Sequence, residues 1–342
     1  MTHYPIISYA QRYEDLHLLR CFEAQPSGVY IDIGAGHPVY DNVSFLFYMR
    51  GWSGITVEPN PWLAQLSAAV RPRDRHVQSL VGAVPGEATY YLVEHFHGLS
   101  TAIASNAQAA QEEFGEAARA MTVKVNTLAA LCAEHGLTAI DFLKVDVEGA
   151  EPDVLRGGDW KRFRPKVVVV EALTPVTLAP AWQHWEDILT AQSYRFAFFD
   201  SLNRYYVADE HTDLAKRLAA EPASFKGVEK LSNFRPALED PTHPDHHLAT
   251  LLSGADMVRL PLLDADALTA RLTADLPATE LDRPATPADM ARAYERLFGS
   301  APSPAAEPRL AGPATVRDLY RWIVTSERFL AACGRISASY AW

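Results

Sequence analysis

Four consecutive valines, Val167 to Val170, lie between Lys166 and Glu171 and constrain the fold of this chain more than any other feature. A strand with one face in water alternates apolar and polar residues, whereas an unbroken β-branched run is typical of a strand buried on both faces. Such strands occur in parallel sheets that helices cover on both sides. The run therefore predicts an α/β fold.

Short apolar runs alternate with helical stretches from Val29 onward, as expected for parallel strands joined by crossover helices. The predicted strands are residues 29–33, 54–58, 76–84, 88–93, 121–125, 140–146, 166–171, 195–199 and 204–207. The last two resemble the antiparallel hairpin that often edges such sheets. We predict a Rossmann-like three-layer sandwich with a mostly parallel sheet.

Helical signals lie between the strands and beyond them. Residues 102–120 are predicted to form a surface helix or lid, and Thr127 is a candidate N-cap for a helix that ends near Glu134. Prolines and histidines accumulate after Glu221, and three amphipathic stretches follow at 290–298, 316–325 and 327–336. We predict an α/β domain over residues 1–220, a linker or wrapping segment over 221–286 and a small α-helical domain over 287–342.

The overall charge limits the possible partners of the chain. A net charge of -11 argues against nucleic-acid binding, which needs clustered Lys and Arg. The three cysteines are widely spaced and form no metal-binding or disulfide pattern. No signal-peptide pattern is apparent, and no apolar run is long enough to span a membrane. We expect a cytoplasmic protein with no membrane span and no nucleic-acid partner.

Glycines and acidic residues stand at the ends of the predicted strands, where open parallel sheets bind their ligands. Gly34 and Gly36 permit a tight turn, but Val39 occupies the position where a dinucleotide-binding loop needs its third glycine. Glu58 lies 22 residues after Gly36, a spacing at which a carboxylate accepts both hydroxyls of a ribose. Asp32 adds a carboxylate suited to a cationic ligand. A ribose with a positive charge and no phosphate indicates S-adenosylmethionine.

Three segments resemble the FkbM family of S-adenosylmethionine-dependent O-methyltransferases. They are residues 30–36 (Tyr-Ile-Asp-Ile-Gly-Ala-Gly), 51–59 (Gly-Trp-Ser-Gly-Ile-Thr-Val-Glu-Pro) and 141–151 (Asp-Phe-Leu-Lys-Val-Asp-Val-Glu-Gly-Ala-Glu), of which 146–151 is the most specific. Residues 200–208 resemble a segment of members associated with polysaccharide and O-antigen gene clusters. The resemblance spans residues 29–219. Residues 290–330 are similar to a short helical domain of unknown function attached to glycan-processing proteins.

The resemblance implies a methyltransferase fold and roles for particular residues. It places Asp32, Gly34 and Gly36 along the methionine portion of the cofactor and Glu58 on the ribose. Ser79 and Leu80 would flank the adenine, and Asp146 is predicted to border the cofactor. The family often has an acidic residue where His37 stands and Asp-Ser where Asp41 and Asn42 stand. These departures border the acceptor, so they concern the substrate rather than the cofactor.

The predicted acceptor is a hydroxyl of a sugar in a glycan or glycosylated precursor, which must lose its proton as the methyl group arrives. The candidate catalytic residues are His37, Asp146 and Glu148, with His37 as a possible base. Asp146 and Glu171 could instead hold Mg²⁺ or another divalent metal, and Glu148 and Glu151 could join them. Alternatively, His37 is a loop histidine that only hydrogen-bonds to the backbone, and Glu151 interacts with the N-terminus of its own helix.

Several other interpretations stay open at this stage. The chain could be a nucleotide-dependent oxidoreductase, although the missing third glycine counts against it, or a non-catalytic methyltransferase-fold module that scaffolds glycan assembly. His243, His246 and His247 could bind zinc, but a solvated, proline-broken loop is the simpler interpretation. The helices after residue 287 are predicted to recognise the acceptor or glycan-assembly proteins, and not to carry the chemistry.

Overall fold

The computed structural model describes residues 6–93, 97–115, 117–174, 177–220, 225, 227–300 and 314–340. The chain divides into two compact units. The first comprises Ile7–Ala68 and Arg73–Val228, and the second comprises Met1–Ile6, Ala69–Pro72 and Glu229–Trp342. No helix among the described residues is long and apolar enough to cross a membrane.

Twelve strands are formed within the described residues. They are β1 (Ile6–Ser8), β2 (Val29–Ile33), β3 (Ser53–Val57), β4 (Arg75–Val77), β5 (Leu80–Val81), β6 (Gly86–Val93), β7 (Ala118–Asn126), β8 (Phe142–Val145), β9 (Val167–Glu171), β10 (Tyr194–Phe199), β11 (Asn203–Ala208) and β12 (Val228–Lys230). The helices that lie wholly or mostly in the first unit are α1 (Glu14–Phe22), α2 (Phe45–Met49), α3 (Pro61–Val70), α4 (Ala104–Phe114), α5 (Leu128–Glu134), α6 (Glu151–Arg156), α7 (Glu186–Thr190) and α8 (Thr212–Ala219).

A seven-stranded sheet in the order β10-β11-β9-β8-β2-β3-β4 forms the centre of the first unit. Strands β4, β3, β2, β8 and β9 pair in parallel, whereas β11 is antiparallel to both β9 and β10. The predicted mostly parallel sheet with an antiparallel edge hairpin is confirmed. The strand order reverses between β2 and β8, and such a reversal opens a ligand-binding crevice at the carboxyl ends of the two strands.

The valines of β9 show why the sheet is covered on both faces. Val168 and Val170 pack in one apolar cluster, Val167 and Val169 pack in another, and all four are fully buried. Successive side chains of a strand point to opposite faces, so each cluster receives every second residue. Burial of a valine stabilises the fold by roughly 1.5–3 kcal/mol. The four-valine run therefore anchors both helical layers.

A second, three-stranded sheet, β5-β7-β6, is inserted between β4 and β8. The strand predicted over residues 76–84 is divided: β4 ends at Val77 in the large sheet and β5 begins at Leu80 in the small one. The helix predicted over 102–120 ends at Phe114, and β7 starts at Ala118. The prediction of one long helix was wrong because Gly115, with φ 74°, ends the helix in a left-handed conformation.

The second unit is helical. Its helices are α9 (His246–Leu251), α10 (Ala265–Leu272), α11 (Ala278–Leu281), α12 (Pro287–Phe298), α13 (Val316–Val324) and α14 (Glu327–Ala338). Leu248, Leu260 and Leu272, from the predicted linker, are buried in one cluster with Leu319 and Phe329. The helical unit therefore begins near Glu229, inside the stretch predicted as a linker, because its leucines belong to the shared core.

The three histidines considered for zinc bond to the backbone instead. Nδ1 of His243 accepts from the amide of Asp245, Nδ1 of His246 contacts the carbonyl of Ala237, and Nε2 of His247 contacts the carbonyl of Arg296. The carboxylate of Asp245 is engaged by Arg335. Within the described residues, no group of converging metal ligands includes these histidines.

Candidate active site

The loop after β2 closely approaches the loop after β8. Gly34 has φ 73°, and a Cβ on it would lie 1.7 Å from the carbonyl oxygen of Asp146. Gly36 also has a positive φ, 60°, but no atom lies within 4 Å of a Cβ added there. Gly34 is therefore required by packing between two strand ends, whereas Gly36 borders open space where a ligand can approach the backbone.

A buried lysine joins the ends of β2 and β8. Nζ of Lys144 donates to the carbonyl of Gly34 at 3.0 Å and lies 3.2 Å from Asp146 and 3.7 Å from Asp32. Burial alone would lower the pKa of Lys144, but the carboxylates of Asp146 and Asp32 outweigh it and hold the pKa above its ordinary value. Oδ2 of Asp32 accepts from Ser44 at 2.5 Å. The predicted cofactor carboxylate Asp32 is thus fully buried between the ammonium group of Lys144 and the hydroxyl of Ser44.

The carboxylate of Glu58 is fixed at the end of β3. Oε2 accepts from the amide of Gly36 at 2.9 Å, and Oε1 accepts from the amide of Asn60 at 2.8 Å. Burial raises the pKa of Glu58 to about 7, although the two backbone donors oppose the shift. Each carboxylate oxygen has a further lone pair, so the group can accept two more hydroxyl donors. This geometry suits the two hydroxyls of a ribose.

Ser79 and Leu80 lie where the chain passes from the large sheet to the small one. Ser79 is buried, and its hydroxyl accepts from the side-chain amide of Asn126 at 3.1 Å. Leu80 is the first residue of β5 and pairs with Val125 of β7. The two residues therefore follow β4 by two or three positions, at the same end of the large sheet as Glu58, whose amide bonds to Val77.

Three carboxyl groups converge beyond β8 and β9. One oxygen each of Asp146, Glu148 and Glu171 lies within 4.8 Å of the others, and no other such group of possible metal ligands occurs in the described part of the chain. Burial, together with the charges of Asp146 and its neighbours, raises the pKa of both Glu148 and Glu171 well above the ordinary value. Oε2 of Glu171 is buried without a hydrogen-bond partner. This trio can hold a proton or a cation.

Glu151 stands apart from the trio in its contacts. Its Oε1 accepts from the amides of Val147 and Gly149 at 3.0 and 3.1 Å, and the residue is 3% exposed. The carboxylate thus binds the loop that precedes its own helix, α6, rather than the N-terminus of that helix. It is a scaffold for the loop that carries Asp146 and Glu148.

His37 is held by its own loop. Nδ1 accepts from the amides of Val39 and Tyr40 at 3.2 and 3.0 Å, and the residue is buried. An imidazole whose Nδ1 accepts hydrogen bonds carries its proton on Nε2 when neutral. In this arrangement His37 has no free lone pair for a substrate proton, so the geometry favours the backbone-bonding alternative over a base.

Lys144, Tyr90 and Asn106 near these groups have no role predicted from the sequence, and Thr101, which follows Gly98 on a predicted loop, is predicted only to touch the acceptor or to cap the next helix. Lys144 could have been found, because a lysine within an apolar buried strand signals a paired charge. Burial raises the pKa of Tyr90 in β6 well above its ordinary value, and the charges of Glu58 and Glu148 add to the shift. Thr101 and Asn106 bond to the backbone carbonyl of Glu148. No local pattern marks these contacts, which join positions more than 40 residues apart.

The comparisons with known proteins concern the same region of the chain. Residues 32–196 match the methyltransferase FkbM domain, a range that contains every residue of the site described above. No curated protein matches the chain. A solved structure, a TehB-like SAM-dependent methyltransferase from Corynebacterium glutamicum, is 8% identical, with 56% of this chain and 87% of that chain covered. Its TM-score of 0.32 is too low to carry any argument. The domain match and the Rossmann-like sheet identify residues 32–196 as a methyltransferase domain of the FkbM type.

Proposed function

We propose that this enzyme transfers the methyl group of S-adenosylmethionine to a hydroxyl of a sugar in a glycan or glycosylated precursor. The convergence of Asp146, Glu148 and Glu171 beside the β2–β8 crevice carries the proposal. A hydroxyl is a weak nucleophile until its proton is removed, and buried carboxylates with raised pKa values are suited to accept it. The likeness of residues 200–208 to polysaccharide-associated members supports a sugar as the acceptor.

A labelled-methyl assay tests this proposal. The protein is incubated with S-adenosylmethionine labelled in its methyl group and with a panel of cell-surface glycan fractions, and the products are hydrolysed to single sugars. We expect label in an O-methyl sugar. Label found only in protein or nucleic acid would contradict the proposed acceptor, whereas the cofactor assignment would stand.

The cofactor is proposed to lie along the strand ends. Asp32, Gly34 and Gly36 would face its methionine portion, Glu58 its ribose, and Ser79 and Leu80 its adenine. Asp146, at the adjoining strand end, would border the reacting sulfur. Methyl transfer from a sulfonium is an in-line displacement, so orientation of the two substrates supplies much of the rate enhancement. In this arrangement the cofactor and the carboxylate trio share one crevice.

Glu58→Ala is expected to weaken S-adenosylmethionine binding by roughly 1–3 kcal/mol, the scale of a lost hydrogen bond to a charged group. Isothermal calorimetry on the folded variant measures the loss, and Glu87→Ala, at an exposed position of β6, is the matched control. Affinity unchanged by Glu58→Ala would remove Glu58 from the site.

The same carboxylate predicts a pH dependence of cofactor affinity. The pKa of Glu58 in the free protein is raised to about 7, and ribose hydroxyls bind its charged form. Affinity should therefore fall by up to about tenfold per pH unit below pH 7 and level off above it. Glu58→Gln should lack this slope. An equal slope in both proteins would assign the pH dependence to another group.

A divalent cation such as Mg²⁺ fits the same three carboxylates, because hard oxygen ligands suit it and like charges at this separation repel. When bound, it would lower the pKa of the acceptor hydroxyl. We expect that treatment with a chelator lowers turnover on a working acceptor at least tenfold and that added Mg²⁺ or Mn²⁺ restores it. Full activity of the stripped enzyme would leave proton removal to the carboxylates alone.

Two sequence-based expectations stay predictions. One is that the helical unit recognises the acceptor or glycan-assembly proteins, and the other is that the protein is cytoplasmic. The site residues named above all belong to the first unit, which is consistent with a non-catalytic role for the helices.

A further inference from the structure

Glu148 occupies an unusual backbone conformation. Its φ is 55°, in the left-handed region that non-glycine residues rarely adopt, and the next residue, Gly149, has φ 105°. Such conformations persist only where the surroundings hold them, and they concentrate at functional sites. The contacts that hold this loop therefore bear on how the carboxylate trio is formed.

The loop is held from two sides. On one side, Glu151 accepts from the amides of Val147 and Gly149. On the other side, the carbonyl oxygen of Glu148 accepts from the hydroxyl of Thr101 at 3.0 Å and from the side-chain amide of Asn106 at 2.8 Å. The peptide groups around Glu148 thus have hydrogen-bond partners on both sides of the loop. The partners on the second side, Thr101 and Asn106, belong to the segment between β4 and β8.

Thr101 and Asn106 are themselves fixed in place. The backbone of Thr101 exchanges two hydrogen bonds with Tyr91 of β6, and its Oγ1 accepts from the amide of Ile103, which leaves its hydroxyl proton for Glu148. Thr101 is 1% exposed. Asn106 lies in the first turn of α4, and a Cβ on Gly149 would come within 2.7 Å of its Nδ2. The fit leaves little room for the loop to shift.

We propose that Thr101 and Asn106 are positioning residues that hold Glu148 in its left-handed conformation, so that its carboxylate joins Asp146 and Glu171. This inference rests on the proposed function of the trio. The side chains of Thr101 and Asn106 hydrogen-bond to Glu148 and Ile103 and not to the groups assigned to the cofactor, so their loss should affect turnover and not cofactor binding. A displacement of about 1 Å at a catalytic group can cost roughly a hundredfold in rate.

Two pairs of variants test the proposal. Asn106→Ala removes the amide, and Gln108→Ala makes the same kind of change at an exposed position of the same helix. Thr101→Val removes the hydroxyl at nearly constant shape, and Thr101→Ser keeps it. We expect Asn106→Ala and Thr101→Val to lower kcat by 10- to 100-fold, with KM for S-adenosylmethionine within twofold of wild type. Gln108→Ala and Thr101→Ser should retain wild-type kcat.

Hydrogen exchange of the amides at residues 147–149 gives a readout that needs no acceptor. It should speed up in Asn106→Ala and Thr101→Val and not in their controls. Unchanged exchange, or unchanged kcat in both variants, would overturn the proposal, as would a rise in KM for the cofactor at constant kcat. If the wild-type protein methylates no glycan, the proposed function fails, and the exchange rates still decide whether the two residues hold the loop.

Discussion

Gly34→Ala is expected to destabilise the protein by more than about 4 kcal/mol, a loss that only a few mechanisms produce. The added Cβ would lie 1.7 Å from the carbonyl oxygen of Asp146, and the atom it meets belongs to a backbone that cannot rotate away. The ends of β2 and β8 would have to separate, and the crevice between them would be lost. Urea denaturation followed by circular dichroism measures the change.

Gly36→Ala is the matched control. Gly36 shares the positive φ of Gly34, but a Cβ there meets no atom within 4 Å. The substitution should lower the free energy of unfolding by only roughly 1–2 kcal/mol, because a residue with a Cβ is less stable than glycine in the left-handed conformation. Equal losses in the two variants would show that φ, and not the close approach of the two loops, makes Gly34 necessary.

Asp146→Asn is expected to have the largest effect on activity. The substitution keeps the shape of the side chain and removes its charge. That charge pairs with Lys144 and raises the pKa of both Glu148 and Glu171. We expect kcat on a glycan acceptor to fall by about 10²- to 10⁴-fold, the usual scale of a lost acid–base or metal-binding group. Asp153→Asn, which changes an exposed carboxylate on α6, is the control. A kcat within threefold of wild type would exclude Asp146 from catalysis.

The sheet and its strand ends could be predicted because their determinants are local. The valine run of β9 and the glycines after β2 indicate strand type and strand end from neighbouring residues alone. Topology then brings the carboxyl ends of parallel strands to one edge, so Glu58, Asp146 and Glu171 could be expected near one another. The trio confirms that expectation for Asp146 and Glu171.

The roles of single side chains within the site were less predictable. The residue type of His37 suits a base, but two backbone amides that point at its Nδ1 favour a backbone-bonding role. Thr101 and Asn106 act through contacts across more than 40 positions, and no spacing rule signals them. The linker prediction relied on prolines and histidines, whereas the buried leucines between them determine the helical core.

A crystal structure with S-adenosylhomocysteine would show whether the cofactor and the carboxylate trio share one crevice. We predict that both ribose hydroxyls lie within hydrogen-bonding distance of Glu58 and that the sulfur faces Asp146, Glu148 and Glu171. The backbone of Gly36 should contact the ligand. A ligand bound away from the β2–β8 reversal, or one whose sulfur points away from the trio, would show that the cofactor and the trio do not share a crevice.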